Sequence, residues 1–149
     1  MMFSTRAEYG VRVMVALATR GGAEPMPLAE IADGEGLPLA YLEHLVARLR
    51  RAGLIESRRG AHGGYLLARP AAQITMAEVV EALEGRIAPI ECISSSPDGT
   101  IRCSRESDPA HVCTTKLLWT RVRGAIVTTL EETTLAELIP AGERKAVFA

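Results

Sequence analysis

Residues 37–70 read LPLAYLEHLVARLRRAGLIESRRGAHGGYLLARP. Leu39, Leu42, Leu45, Val46 and Leu49 recur at the spacing of one buried helical face. Pro38 suits the first turn, where its missing N–H would have had no helical partner. Gly53 sits where a left-handed residue commonly closes a helix. Arg48, Arg50 and Arg51 crowd the last turns, where cations suit the helix dipole. The pattern predicts a helix over 38–52. Residues 54–57 and 65–67 then read as two short strands. Between them lies Arg58-Arg59-Gly60-Ala61-His62-Gly63-Gly64, a basic, glycine-rich hairpin tip. A helix followed by a basic β-hairpin is the end of a winged helix-turn-helix, and its arginines point at DNA.

The bulk numbers agree only locally with a DNA binder. The chain has 149 residues, enough for one domain or one domain with an appendage, and 48% hydrophobic residues, enough for a core. Net charge is −1, which excludes a uniformly basic nucleic-acid binder. The charge is uneven: residues 1–69 carry nine Arg against seven acids, and residues 70–149 carry eight Lys and Arg against eleven. Five Arg and one Glu fall between 48 and 59, and that patch is what phosphates would feel. The first apolar run, 11–18, is interrupted by Arg12 and too short to span a membrane. The expectation is a cytoplasmic protein, where structural disulfides are disfavoured, so three cysteines need another reason.

Outward from the central stretch, residues 4–20 read as a first helix, with Thr5 and Glu8 at capping-box spacing. Residues 21–25 form a loop and 28–34 a short second helix. Residues 33–36 are then the turn of the helix-turn-helix. Thr75 and Glu78 form a second capping box and open a helix that carries Met76, Val79, Val80 and Leu83 and stops at Gly85. Residues 86–112 lose periodicity, with turn chemistry at Ser94-Ser95-Ser96-Pro97-Asp98-Gly99. A last long helix over about 114–133 carries a stripe of Leu118, Val122, Ala125, Ile126 and Thr129, widened by Trp119 and Leu130. Such a stripe beyond a compact head calls for a two-fold dimer interface. Thr134 and Glu137 cap a final turn, and the tail after Pro140 is polar and frayed. The expected fold class is mostly α with a small β-hairpin wing. It comprises a winged helix-turn-helix head over 1–85, a cysteine-bearing sensor loop over 86–113, and a dimerisation helix and tail over 114–149.

The cysteines stand as Cys92-x10-Cys103-x9-Cys113. No C-x-x-C pair marks a zinc ribbon or a ferredoxin run. Three readings stay open. The thiols hold an iron–sulfur cluster and leave one iron to a non-cysteine ligand; or they join His111 in a zinc site; or they are unrelated, some of them buried as small hydrophobes. There is no nucleophile–base pair, P-loop or dinucleotide motif, so the chain does not read as an enzyme.

In the order of its elements the chain resembles the IscR/NsrR family of winged-helix transcriptional regulators over almost its whole length. The carriers are 4–12 (STRAEYGVR), Tyr41-Leu42-Glu43 and Leu49-Arg50, Gly53-Leu54-Ile55, the wing Arg59-Gly60-x-x-Gly63-Gly64-Tyr65, and Leu118-Trp119. The resemblance implies a homodimer on a palindromic double-stranded DNA operator, with a 2Fe–2S or 4Fe–4S cluster on Cys92, Cys103 and Cys113 setting operator affinity. Lys116 stands where the biogenesis regulators carry a histidine ligand. The resemblance to the nitric-oxide-sensing members therefore implies Glu8 of the partner chain as fourth ligand, with His111 second.

For the DNA surface, Tyr41, Glu43 and His44 lie early in the helix and would reach base edges, although Tyr41 fits a core or phosphate position equally well. Arg48 and Arg51 would contact phosphate, and Arg59 would enter a minor groove. Pro38, Gly60 and His62 complete the surface, His62 standing where the family wing often has proline. The competing reading keeps this head and replaces the cluster with a thiol redox switch.

Overall fold

A computed structural model describes residues 3–20, 24–106, 110 and 112–142. Helices α1 (Thr5–Thr19), α2 (Leu28–Glu35) and α3 (Leu39–Arg51) are followed by the antiparallel hairpin β1 (Ile55–Arg58) and β2 (Gly64–Leu67). After a 3₁₀ turn at Ala71–Gln73 come α4 (Met76–Glu84), a second antiparallel hairpin of β3 (Ile93–Ser95) and β4 (Ile101–Cys103), α5 (Lys116–Glu132) and the short α6 (Leu135–Leu138). Among the described residues no helix is long and apolar enough to cross a membrane. The fold is the expected one: mostly helical, with a small wing.

The head is built by α1 packing on α3 and α4. Val13, Met14 and Leu17 meet Leu42, Leu45 and Leu49 of α3 and Val79 and Leu83 of α4, all essentially without solvent contact. The apolar face read in 38–52 is the buried face of α3: Leu42, Leu45, Val46 and Leu49 are its buried residues. Leu39 is the exception, exposed at the helix start. The core also takes in Leu135, Ala136 and Ile139, in and just after the capped final turn. A bridge between Thr75 and Thr134 brings the end of the chain back to the start of α4.

Several local expectations change. α1 is capped by Ser4, whose hydroxyl accepts from Arg6 N–H; the Thr5–Glu8 capping box does not form. Glu8 instead pairs with Arg12 one turn on, at 2.8 Å. α2 continues through Glu35, so the helix-turn-helix turn is 36–38, with Gly36 left-handed (φ 65°) and Pro38 in the N-cap position of α3. The aperiodic stretch 86–112 contains a real hairpin, whose turn closes through Gly99 N–H to the Ser96 carbonyl at 3.0 Å. The capping boxes at Thr75/Glu78 and Thr134/Glu137 both form. The tail beyond 142, the loop residues 21–23 and His111 lie outside the described residues.

Candidate nucleic-acid interface and cysteine site

On α3 the core claims one side, and helical geometry sends Ala40, His44, Ala47 and Arg51 to the opposite side. Glu43 and Arg50 flank this ridge on one edge, Tyr41 and Arg48 on the other. All except Tyr41 are exposed. Tyr41 packs edge-on against Tyr9 of α1, ring centroids 5.6 Å apart, so its ring belongs to the rim of the core. Arg48 turns back to the head and donates to the Leu83 carbonyl at the end of α4, at 3.4 Å. Arg50, a helix-end signal in the sequence, is exposed towards the open side. A helical-wheel reading of the four buried positions would have found it.

The wing follows from its glycines. In the register Arg58↔Gly64 the tip spans 59–63 and closes through Gly63 N–H to the Gly60 carbonyl at 3.0 Å. A Cβ on Gly63 would sit 2.3 Å from the Arg58 carbonyl oxygen, so only glycine permits this turn. Tyr65 bridges to Met26 through hydrogen bonds of 2.8 and 2.9 Å, which pins the wing to the segment before α2. Arg58, Arg59, Gly60, Ala61 and His62 are all exposed at the tip. Arg59 and His62 are therefore available to a ligand, and α3 and the wing present the basic residues of the 48–59 stretch to solvent.

The three cysteines come together through the second hairpin. Cys103 ends β4 opposite Ile93. The Cys92 carbonyl accepts from Ser104 N–H at 2.9 Å, so Cys92, in the turn just before β3, lies beside the end of β4. Cys113 arrives just before α5. Cys92 and Cys113 line a cavity of about 370 Å³ with Ile90, Glu91, Arg105, Thr115 and Trp119. Cys103 is buried.

The thiols feel one another. The Thr115 hydroxyl, 3.6 Å from Cys113 Sγ, and its backbone N–H stabilise the Cys113 thiolate and lower its pKa, with a further contribution from the Cys103 thiol. For Cys103, the Arg105 backbone N–H pulls the pKa down, but burial and the neighbouring Cys113 and Cys92 outweigh it and the net direction is up. The two thiols are thus shifted in opposite directions.

Among the described residues no three His, Cys, Asp or Glu side chains converge as ligands of one metal ion. A cluster spreads its ligands over more than one iron, so it needs thiols that share a neighbourhood, and three do. The donor set fits an iron–sulfur group. Lys116 is paired with Glu106 and not with a thiol, and Glu106 also accepts from Cys103 N–H at 3.1 Å. Glu8 lies away from its own chain's thiols, on a largely apolar groove of about 570 Å³ that Phe3, Val11, Val80 and Leu130 help to line.

Known proteins fall into line with this architecture. Residues 3–141 match a family described as "Rrf2: Iron-dependent Transcriptional regulator". The protein rrf2 of Nitratidesulfovibrio vulgaris is 39% identical over 139 residues, covering 93% of this chain and 87% of that protein. The HTH-type transcriptional regulator IscR of Escherichia coli O1:K1 is 34% identical over 139 residues, covering 93% and 80%. A solved structure of CymR, described as the global cysteine regulator of B. subtilis, superposes with a TM-score of 0.73 at 37% identity, covering 93% of this chain and 95% of that one. With nearly its full length matched, the chain belongs to the Rrf2 family of transcriptional regulators and is not an enzyme.

Proposed function

We propose that the protein is a homodimeric regulator whose affinity for a palindromic operator is set by an iron–sulfur cluster on Cys92, Cys103 and Cys113. The observation that carries this reading is the thiol trio itself: the β3–β4 hairpin and the approach to α5 bring three cysteines, ten or more residues apart in sequence, into one neighbourhood, with Cys92 and Cys113 lining a shared cavity. The dimer rests on α5, a 17-residue helix with no buried residue, on which Leu117 and Leu118 are 63% and 54% exposed. An apolar helix left open in one chain is best covered by its symmetry mate.

The head binds DNA with Pro38 starting α3 at the groove and with Glu43, His44 and Arg51 facing the bases and backbone. Arg59, Gly60 and His62 at the wing tip meet the adjacent minor groove. The partner subunit's Glu8 completes the cluster site, with His111 as the second choice. The cluster, when bound, supplies iron that reacts with oxidants or nitric oxide. This chain's own residues hold it, exclude water from it with Trp119 and Ile90, and pass its presence to the heads. A switch needs a difference of only a few kcal/mol between the two states.

The test is purification without oxygen, with iron and sulfide analysis and an operator-binding titration. Iron and sulfide bound together, lost in Glu8→Ala, establish the reading. A protein that takes up neither after attempted reconstitution overturns it. The thiol switch would then stand in its place, favoured by the Thr115 hydroxyl beside Cys113 Sγ and the opposite pKa shifts of Cys103 and Cys113.

A further inference from the structure

α5 does more than expose an apolar stripe. Trp119 lines the cysteine cavity, and Arg123, one helical turn on, lies on the same face. The Arg123 guanidinium reaches off the helix to two points in the segment between α4 and the cysteines. Its Nε donates to the Ile87 carbonyl at 3.0 Å and its Nη2 to Ser95 Oγ at 3.4 Å. Arg86 closes the loop by donating to the Ser95 carbonyl. The segment so held is anchored by two side chains nearly without solvent contact, Ile87 and Ile93. Ile93 directly follows Cys92 and pairs with Cys103.

The thiol trio therefore has two structural halves. Cys92 and Cys103 ride on the hairpin; Cys113 rides on the start of α5. Among the described residues, Lys116–Glu106 and Arg123 at the strand end tie the two halves together. Arg123 reaches both the linker backbone at Ile87 and the Ser95 side chain of β3, because a planar guanidinium offers several donors in a fixed fork and an ammonium does not.

We propose that Arg123 is the positioning residue of the cysteine site: it holds the β3–β4 hairpin in register with α5 so that Cys92 and Cys103 face Cys113. The residue touches neither thiol nor cluster and acts through Ile87 and Ser95. The inference rests on the cysteine-site reading above, but its consequence for the thiols does not need a cluster.

The experiment compares wild type with Arg123→Met, Arg123→Lys and, as a control, Arg121→Met at an exposed position of the same helix. On reconstituted protein, iron release to a chelator should be about tenfold faster in Arg123→Met, the scale seen when groups orienting a metal ligand are removed. Arg123→Lys should recover part of the loss and Arg121→Met should match wild type. On metal-free protein, maleimide labelling of the buried Cys103 should quicken in Arg123→Met while labelling of Cys113 and the thermal unfolding midpoint stay put. A purely stabilising role would instead lower the midpoint and quicken both thiols together. Wild-type iron release with wild-type Cys103 labelling in Arg123→Met overturns the proposal. A wild type that takes up no iron or sulfide overturns the cluster reading alone, and Cys103 labelling then decides the role of Arg123.

Discussion

Glu84, in the last turn of α4, caps the helix that begins at Ser4, eighty residues earlier in the chain. Its Oε1 accepts from Ser4 N–H at 3.1 Å, from Ala7 N–H at 3.2 Å and from the Ser4 hydroxyl. Its Oε2 meets Arg6 at 3.3 Å. A helix N-terminus exposes unpaired N–H groups and a positive dipole end, and a carboxylate answers both. Burial pushes the Glu84 carboxyl up, but the Ser4 hydroxyl and N–H, Arg6 and Ala7 together hold it below its usual value.

Removing this cap should cost stability. Glu84→Ala is expected to lose about 1–2 kcal/mol, the scale of a lost N-cap, read by urea unfolding at neutral pH. Because the folded pKa is the lower one, the contribution is complete above the unfolded carboxylate value of about 4 and fades as pH falls through the folded value. The gap between wild type and variant should therefore narrow in acid. A gap that stays constant to low pH would show that the charge of Glu84 does not act.

Gly64 should resist substitution. It has φ 152°, and a Cβ there would stand 2.4 Å from the Met26 carbonyl carbon and oxygen, which are backbone and cannot rotate away. Gly64→Ala should destabilise the protein by about 1–3 kcal/mol and weaken operator binding further, because the Met26–Tyr65 bridge that pins the wing must open. Gly60→Ala also strains a positive φ, 117°, but meets no neighbour. It should cost less, and wild-type-like unfolding of Gly64→Ala would contradict the packing.

The arginines should separate by what they touch. Arg51 is exposed on the open side of α3, so Arg51→Ala should weaken operator binding for every sequence and lower the salt slope by about 1. Arg48 is occupied by the Leu83 carbonyl, so Arg48→Ala should change the slope less and lower stability instead. Arg59→Ala should flatten the preference for A·T-rich flanks. Salt titrations of operator affinity with each variant decide these points, and an Arg48 slope change equal to that of Arg51 would place both on phosphate.

α5 should be the association surface. Leu118→Glu puts a charge into the exposed stripe without touching the head core. Sedimentation should show the variant shifted to monomer, with the fold retained by circular dichroism and operator affinity reduced by loss of the second half-site. A variant that sediments like wild type would move the dimer contact elsewhere.

The sequence by itself determined whatever is set within a few residues. The 3.6-residue period of Leu42, Leu45, Val46 and Leu49 names the buried face of α3, because side chains three and four apart share a face whatever they pack on. The glycines around Arg59 and His62 mark the wing, since such turns exclude a Cβ. The capping boxes at Thr75/Glu78 and Thr134/Glu137 form because both partners lie within one turn. Tertiary structure decided the rest. The same capping signal at Thr5 and Glu8 failed because Glu84 arrived from α4 and moved the cap to Ser4, while Arg12 took Glu8. Tyr41 and Arg48 are drawn back to the head by Tyr9 and Leu83, residues no local pattern connects to them. Three cysteines without local periodicity come near one another only because a short hairpin sets Cys92 beside Cys103 and the approach to α5 delivers Cys113, and contacts between residues that far apart in sequence are made by packing, not by spacing.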